Sequence, residues 1–407
     1  MIWSVLHILD ILLWLIMAGS VIYVAFFAFV SLFPHSNTSI TESPSSSSAG
    51  KSSLSGGFRE VSFLVLYPAY HEDAVIVHSI QQFLYSDYPK DKYHLAVISD
   101  HMEEATNTQL AALPITLHQP SFEKSSKAKA LQYAIQQTNG TYDYVVILDA
   151  DNVVRPDFLT RLNEACSAGH RAIQCHRCAK NSDNDIAVLD GVSEEINNTL
   201  FRRAHNVIGL SSALIGSGMC FDHQWFKAHV NLLNSAVEDR EMEAMLMKEN
   251  VFIKFENGIF VFDEKVSNSD NFQRQRLRWM TGQVQSLLLM LPYIPKAVVT
   301  GNINYIDKTI QQALIPRSML LVLSFVLSII SAIITITTHH SPLTTLKWWF
   351  LFGLLSISLF VAMPSSLRSR TVFRRLNYLP RLVWHMTTNL FKIDHKNKDF
   401  IHTTHNK

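Results

Sequence analysis

Val145-Val146-Ile147-Leu148-Asp149-Ala150-Asp151 opens with four apolar residues, three of them β-branched. Such a run suits a strand buried on both faces. It stops at two carboxylates spaced i, i+2. In an open α/β sheet, ligands gather at the carboxyl ends of the strands. Paired acids there suit a hard divalent cation that completes its shell with waters and phosphate oxygens. Two solvated acids in a turn would give the same letters, and for an isolated D-x-D that is the commoner explanation. The neighbouring segments change the weighing.

Upstream, Val61 to Tyr67 reads as a strand that stops at Pro68, and Pro68-Ala69-Tyr70-His71-Glu72 is the loop after it. Ala74 to Tyr85 has the apolar spacing of a helix, in Val75, Val77, Ile80, Phe83 and Leu84. Tyr93 to Ser99 is a second strand with Asp100 at its tip, and Lys124 to Gln137 a helix with Lys127 and Lys129 in its first turns. Strands alternating with helices imply a mostly parallel sheet covered on both faces. Acids thus fall at the ends of two successive strands, Asp100 and then Asp149/Asp151.

Downstream, Asp157 to Ala168 is expected to be helical, Arg171 to Cys175 a strand, and Asp185 to Val207 a long amphipathic helix. Gly216-Ser217-Gly218 lies at a strand start, where glycine lets backbone approach a ligand, although a plain turn uses the same residues. Val237-Glu238-Asp239-Arg240 precedes a helix over Met242 to Lys248, and acids there are equally well caps. Phe252 to Phe255 and Ile259 to Phe262 read as two short strands. Gln273 to Met290 is a helix with a basic front half, Arg274, Arg276 and Arg278, and an apolar rear, a pattern suited to a membrane surface.

Of the 407 residues, 48% are apolar and 17% charged, a balance that leans towards a membrane protein. The net charge of +1 gives no support to nucleic-acid binding. Cys175-x-x-Cys178 has no second pair at zinc spacing, so the four cysteines point to reduced thiols. Ile2 to Phe33 exceeds the roughly 20 apolar residues that a span requires and has no basic region before it, which favours an uncleaved anchor (1–33) over a signal peptide. Residues 34–57, rich in Ser, form a flexible linker. Residues 313–338 and the shorter 348–363 are two further spans, joined by a connection carrying one lysine. Arg368, Arg370, Arg374, Arg375 and Arg381 follow the last span, and basic residues beside span ends mark the cytoplasmic side. The central region then faces the cytoplasm, and the N-terminus lies outside.

Together these segments resemble the membrane-bound family 2 glycosyltransferases, such as cellulose synthase, hyaluronan synthase and ceramide glucosyltransferase. The family's ordered series D, D-x-D, (T/S)-E-D and Q-x-x-R-W is matched by Asp100, Asp149-Ala150-Asp151, Val237-Glu238-Asp239 and Gln275-Arg276-Leu277-Arg278-Trp279. Each piece is weak alone, and the order carries the likeness. The resemblance implies an α/β catalytic domain of GT-A type over residues 58–270, interfacial helices over 271–312, and a basic cytoplasmic tail over 364–407. It also implies a donor site from Tyr70, Glu72, Asp100, Lys127 and Asp149, with His71 where the family has Asn. Asp151, with Asp149, would hold Mg²⁺ or Mn²⁺. Asp239 would be the general base. Gly216, Ser217, Gly218, Glu238, Gln275, Arg278 and Trp279 would serve the acceptor and the diphosphate. Phe400, Thr403 and His405 are similar to a gating loop of cellulose synthase, with a polar unstructured terminus as the alternative.

The expected activity is inverting, metal-dependent transfer from a nucleotide-diphosphate sugar, UDP being the usual carrier in the family, to a lipid or glycan acceptor at the inner (plasma) membrane. A single base opposite the leaving group gives one displacement. Two C-terminal spans are too few to line a polysaccharide channel within one chain. The expectation is therefore addition of one or few sugars, or secretion through an export partner. A polyprenyl-phosphate sugar transferase and a non-catalytic scaffold of a polysaccharide-export assembly are the alternatives.

Overall fold

The computed structural model describes residues 2–34 and 59–378, apart from 183, 236, 267, 268, 339 and 340, with 380, 381, 384 and 388 beyond them. The Ser-rich linker and the tail residues Phe400, Thr403 and His405 lie outside the described residues. Helix α1 (Ile2–Val30) is followed by β1 (Phe63–Tyr70), α2 (Ile76–Phe83), β2 (Tyr93–Asp100), α3 (Glu104–Ala111), β3 (Thr116–His118), α4 (Lys127–Gln137), β4 (Tyr144–Ile147) and β5 (Val153–Val154). Next come α5 (Phe158–Ser167), β6 (Ala172–Ala179), α6 (Asp185–Asn197), a π-helical turn (Asn198–Arg203), α7 (Ala204–Val207), β7 (Met219–Asp222), α8 (His223–His229), α9 (Glu238–Lys248) and β8 (Ile253–Asp263). The chain ends in α10 (Ser269–Met290), α11 (Ile294–Val299), α12 (Ile303–Ala313), α13 (Arg317–Thr338), α14 (Leu343–Ala362) and α15 (Arg370–Arg375).

The eight strands form one sheet in the order β3-β2-β1-β4-β7-β6-β8-β5. Strand β4 is central, and its residues alternate between two cores. Val145 and Ile147 pack with Leu64, Leu66 and Leu131 on one face, and Val146 and Leu148 with Val65, Ile80 and Leu159 on the other. Burial of both faces explains why the sequence there runs apolar without alternation. Helix α4 lies close to the sheet because Ala128, Ala130 and Ala134 face it. Its start is fixed by Ser126, whose Oγ accepts from the Lys129 amide at 3.2 Å.

The sheet is more mixed than the strand-helix alternation predicts. Pairings β1/β2, β1/β4, β2/β3 and β6/β8 are parallel, whereas β4/β7, β6/β7 and β5/β8 are antiparallel. The two short strands expected near residues 252–262 are one strand, β8, with a register shift opposite Cys175/His176. The His176 ring holds the looped-out segment through Nδ1 and the Asn257 carbonyl, 3.0 Å apart. The acids expected ahead of a helix are inside it, since α9 begins at Glu238.

Helices α1, α13 and α14 are long and apolar enough to cross a membrane. Helix α14 begins at Leu343, earlier than the sequence suggests, because Lys347 is neutralised within it. Its ammonium pairs with Asp10 of α1, and Trp348 Nε1 donates to the same carboxylate at 2.9 Å. These helices dock on the α/β domain through one apolar cluster joining Val21, Val24 and Phe27 to Val192, Ile196 and Leu200, and to Leu351 and Leu355. A polar lock sits beside it, where Tyr23 Oη donates to Asp307 Oδ1 of α12 at 2.6 Å.

Candidate active site

Strands β1 and β2 end in register, Tyr70 beside Asp100. The next residue of each, His71 and His101, turns the chain away at positive φ (53° and 55°). The His101 ring lies 2.6 Å from the Asp100 carboxylate and 5.9 Å from the Tyr70 ring centroid. This rim is aromatic and acidic, and His101 is a member that motif matching passes over.

Past the tip of β4, Asp151 is buried. Its Oδ2 accepts from the Glu264 amide at 2.7 Å and its Oδ1 from Asn152 Nδ2 at 3.0 Å, so the end of β8 orients it. Asp149 binds the Lys127 ammonium, which also donates to the Gly216 carbonyl at 2.5 Å and lies 3.6 Å from Glu238 Oε1. Among the described residues no three metal-ligating side chains cluster to cage an ion unaided. Two hard carboxylates at a strand end nevertheless fit Mg²⁺ or Mn²⁺, which leave positions for water and substrate phosphates.

Burial weakens the Lys127 charge, but Asp149, Glu238 and Asp239 outweigh it and hold the ammonium above its ordinary pKa. Glu238 goes the other way. Burial, with the Asp239 charge beside it, pushes its carboxyl up to about 7 against the pull of Lys127. Arg278 is depressed by burial and is partly supported by Glu238, Asp149 and Asp239, which places it within reach of the same acids.

The pKa of Glu238 predicts a pH dependence. The folded protein holds a proton that the unfolded chain releases above about 4.5. Stability from this group is full below that pH and is lost as pH rises through about 7, a loss of at most about 3 kcal/mol. Denaturant melts of the ligand-free protein across this range should slope accordingly, and Glu238→Gln should flatten the slope. Equal slopes in the two proteins would refute the assignment.

One cavity of about 860 Å³ takes in Tyr70, Glu72, Asp100, Lys127, Asp149, Asp151, Gly216, Glu238, Asp239, Gln275, Arg278 and Trp279. A side chain on Gly216 would meet Asp239 Oδ2 at 3.7 Å and Glu238 Oε1 at 4.0 Å, and its φ of +80° favours glycine. Ser217 and Gly218 are not on the cavity wall. Ser217 is fully buried and donates to Asn152, and a Cβ on Gly218 would approach Val261 to 2.9 Å. These two frame the site. Helix α10 brings in Gln275, whose Oε1 is buried without a hydrogen-bond partner among the described residues. The Arg276 guanidinium stacks over Trp279 at 4.4 Å. Arg177, Glu194, Asp263 and Lys265 also line the cavity, as a buried ion-pair network that no spacing in the sequence announces.

The cysteines are free and buried, with Cys166 and Cys220 sulfurs 3.9 Å apart.

No curated protein matches the sequence. Among solved structures, a mannosyltransferase from Pyrobaculum calidifontis, in complex with GDP-Man and Mn²⁺, is 14% identical with a TM-score of 0.50, over 93% of this chain and 100% of its own. TarS residues 1–349 from S. aureus (14% identity, TM-score 0.40) cover 81% of this chain and 90% of theirs. Glucosyl-3-phosphoglycerate synthase from Mycobacterium tuberculosis, with Mn²⁺, UDP and phosphoglyceric acid (17%, TM-score 0.36), covers 51% and 72%. The likeness to the mannosyltransferase, at a TM-score of 0.50, shows the GT-A fold for the domain. The family model "Glycosyltransferase like family 2" matches residues 60–282, from the approach to β1 to the middle of α10. That span exceeds half of the 407 residues, and the protein belongs to glycosyltransferase family 2.

Proposed function

We propose that this glycosyltransferase takes a sugar from a nucleotide-diphosphate donor, UDP-linked by expectation, and passes it with inversion to a hydroxyl on a lipid-borne acceptor at the cytoplasmic face of the plasma membrane. The observation that carries this reading is the continuity of the cavity. The same space that holds Asp100, Asp149 and Asp151 is lined further along by Val24 of α1, Leu321 of α13, and Leu359 and Phe360 of α14. A donor can reach the polar end from water while an acceptor reaches the apolar end from lipid.

Asp100 and the Tyr70/Glu72 loop bind the nucleoside. Asp149 and Asp151 would hold Mg²⁺ or Mn²⁺, which would supply neutralisation of the diphosphate. Lys127 and Arg278 add fixed positive charge near the leaving group. Gln275 offers its buried Oε1 as a ready acceptor for a ligand hydroxyl. Trp279 presents a ring face for the acceptor. Asp239 takes the proton of the attacking hydroxyl. Basic residues after α14 support a cytoplasmic position for the catalytic domain.

The test is a thermal-shift screen of the full-length protein with nucleotide-sugars and Mn²⁺. The cognate donor at about 100 times its Kd should stabilise by about 2.7 kcal/mol. Asp151→Asn should remove the Mn²⁺-dependent part. Failure of every nucleotide-sugar to shift the wild-type melt, with or without Mn²⁺, would overturn the reading.

A further inference from the structure

Arg317 opens α13 at the membrane end of the cavity. Among the described residues its hydrogen bonds go to neutral oxygens: the Ser193 carbonyl at 3.2 Å, Ser193 Oγ at 3.4 Å and Asn197 Oδ1 at 2.6 Å. Its guanidinium also lies over the Phe201 ring, 5.7 Å from the centroid. Among the described residues no carboxylate stands within ion-pair distance of it. Three neighbouring arginines of the cavity do have one, Arg276 on Asp190, and Arg177 and Arg202 on Glu194. Arg317 feels the charges of Arg276, Glu194 and Arg202, so one carboxylate beyond ion-pair distance stands against two cations, and Arg276 and Arg202 each keep a buried Nε without a hydrogen-bond partner among the described residues.

A cation in this position is costly without a counter-charge. It sits where the polar cavity meets the wall formed by Val24, Leu321, Leu359 and Phe360. Guanidinium groups take phosphate oxygens through paired donors. We propose that the acceptor is a lipid whose head carries a phosphate, seated on Arg317, with its chains along α1, α13 and α14. The phosphate is a binding handle. The acceptor hydroxyl lies further into the cavity, attacks the donor's anomeric carbon and gives its proton to Asp239. The bond from that carbon to the diphosphate breaks, and the nucleoside diphosphate leaves with the electron pair. The proposal rests on the glycosyltransferase reading for the word acceptor, but the phosphate seat can be tested without turnover.

The full-length protein in a neutral detergent is titrated with phosphatidic acid, with diacylglycerol of the same chains, and with inorganic phosphate, and bound lipid is counted by native mass spectrometry. Phosphatidic acid should bind about 10- to 100-fold more tightly than diacylglycerol, the worth of charge-assisted hydrogen bonds. Arg317→Gln should abolish that preference, and Arg317→Lys should keep part of it. Arg374→Gln, at an exposed arginine of α15, controls for lipid gathered at the rim and should leave the preference intact. Equal affinity for the two lipids, or a preference that survives Arg317→Gln, overturns the proposal. Displacement of phosphatidic acid by inorganic phosphate at comparable concentration would make the site one for free phosphate and would also overturn it. A wild-type protein that binds phosphatidic acid in this way yet is stabilised by no nucleotide-sugar would sink the donor reading and leave the phosphate seat standing.

Discussion

Asp239→Asn should lower kcat by about 10²- to 10⁴-fold, the usual worth of a positioned general base, with donor affinity little changed. A hydroxyl is a poor nucleophile until its proton is taken, and the amide cannot take it. Two neighbouring carboxylates could compete for this role, and the structure separates them. Glu238 is buried, 3.6 Å from Lys127, and holds its proton up to about pH 7. Asp239 is only partly buried, accepts the Arg240 amide at 2.9 Å through Oδ1, and turns Oδ2 towards the Gly216 wall of the cavity. Rapid-mix kinetics with saturating donor would measure the loss. A Glu238→Gln protein as slow as Asp239→Asn, or an Asp239→Asn protein within tenfold of wild type, would move the base elsewhere.

Lys127→Met should damage both stability and turnover. Its ammonium is the shared counter-charge for Asp149 and Glu238, and it holds the Gly216 carbonyl as well. Removing one partner of a fully buried ion pair costs about 3–5 kcal/mol. The Asp149 side chain is 35% exposed, so about 1–3 kcal/mol is the better expectation here. Without the lysine, the Glu238 carboxyl should titrate above its present value of about 7, since the strongest charge pulling it down is gone. Turnover should fall by about 10²- to 10³-fold through lost stabilisation of the departing diphosphate. Chemical denaturation and steady-state kinetics measure the two losses separately. A variant as stable as wild type would show that Lys127 is not the counter-charge that holds this end of the cavity together.

Much of this was legible in the chain. The β-branched run ending at Asp149 marks a strand buried on both faces, and β4 lies between two cores. The helix read over Lys124 to Gln137 is α4, although it starts only at Lys127, where Ser126 caps it. The helix read over Gln273 to Met290 puts Gln275, Arg278 and Trp279 on one element, and α10 carries them. Such signals are short-range, because propensity, caps and periodicity act within a few residues. The misses have a common cause. Asn257-Gly258 reads as a turn between two strands, yet β8 continues because His176, far off in sequence, holds the bulge. Lys347 reads as a span boundary, yet α14 runs through it because Asp10 supplies the counter-charge. Ser217 reads as a ligand contact, yet a neighbour on the next loop, Asn152, takes its hydroxyl.

The sequence by itself determined which chemistry the protein carries and in what order, since strand-end acids, a capped basic helix and the apolar spans are each written in a few contiguous residues. Only the tertiary structure decided that they share one cavity, that Glu238 rather than Asp239 joins Asp149 beside Lys127, and that Arg317 has no carboxylate within ion-pair distance among the described residues where this cavity meets the spans. Those facts depend on how α6, α9, α10 and α13 cross the edge of the sheet. Crossing geometry is set by packing between residues distant in the chain, where no local pattern records it.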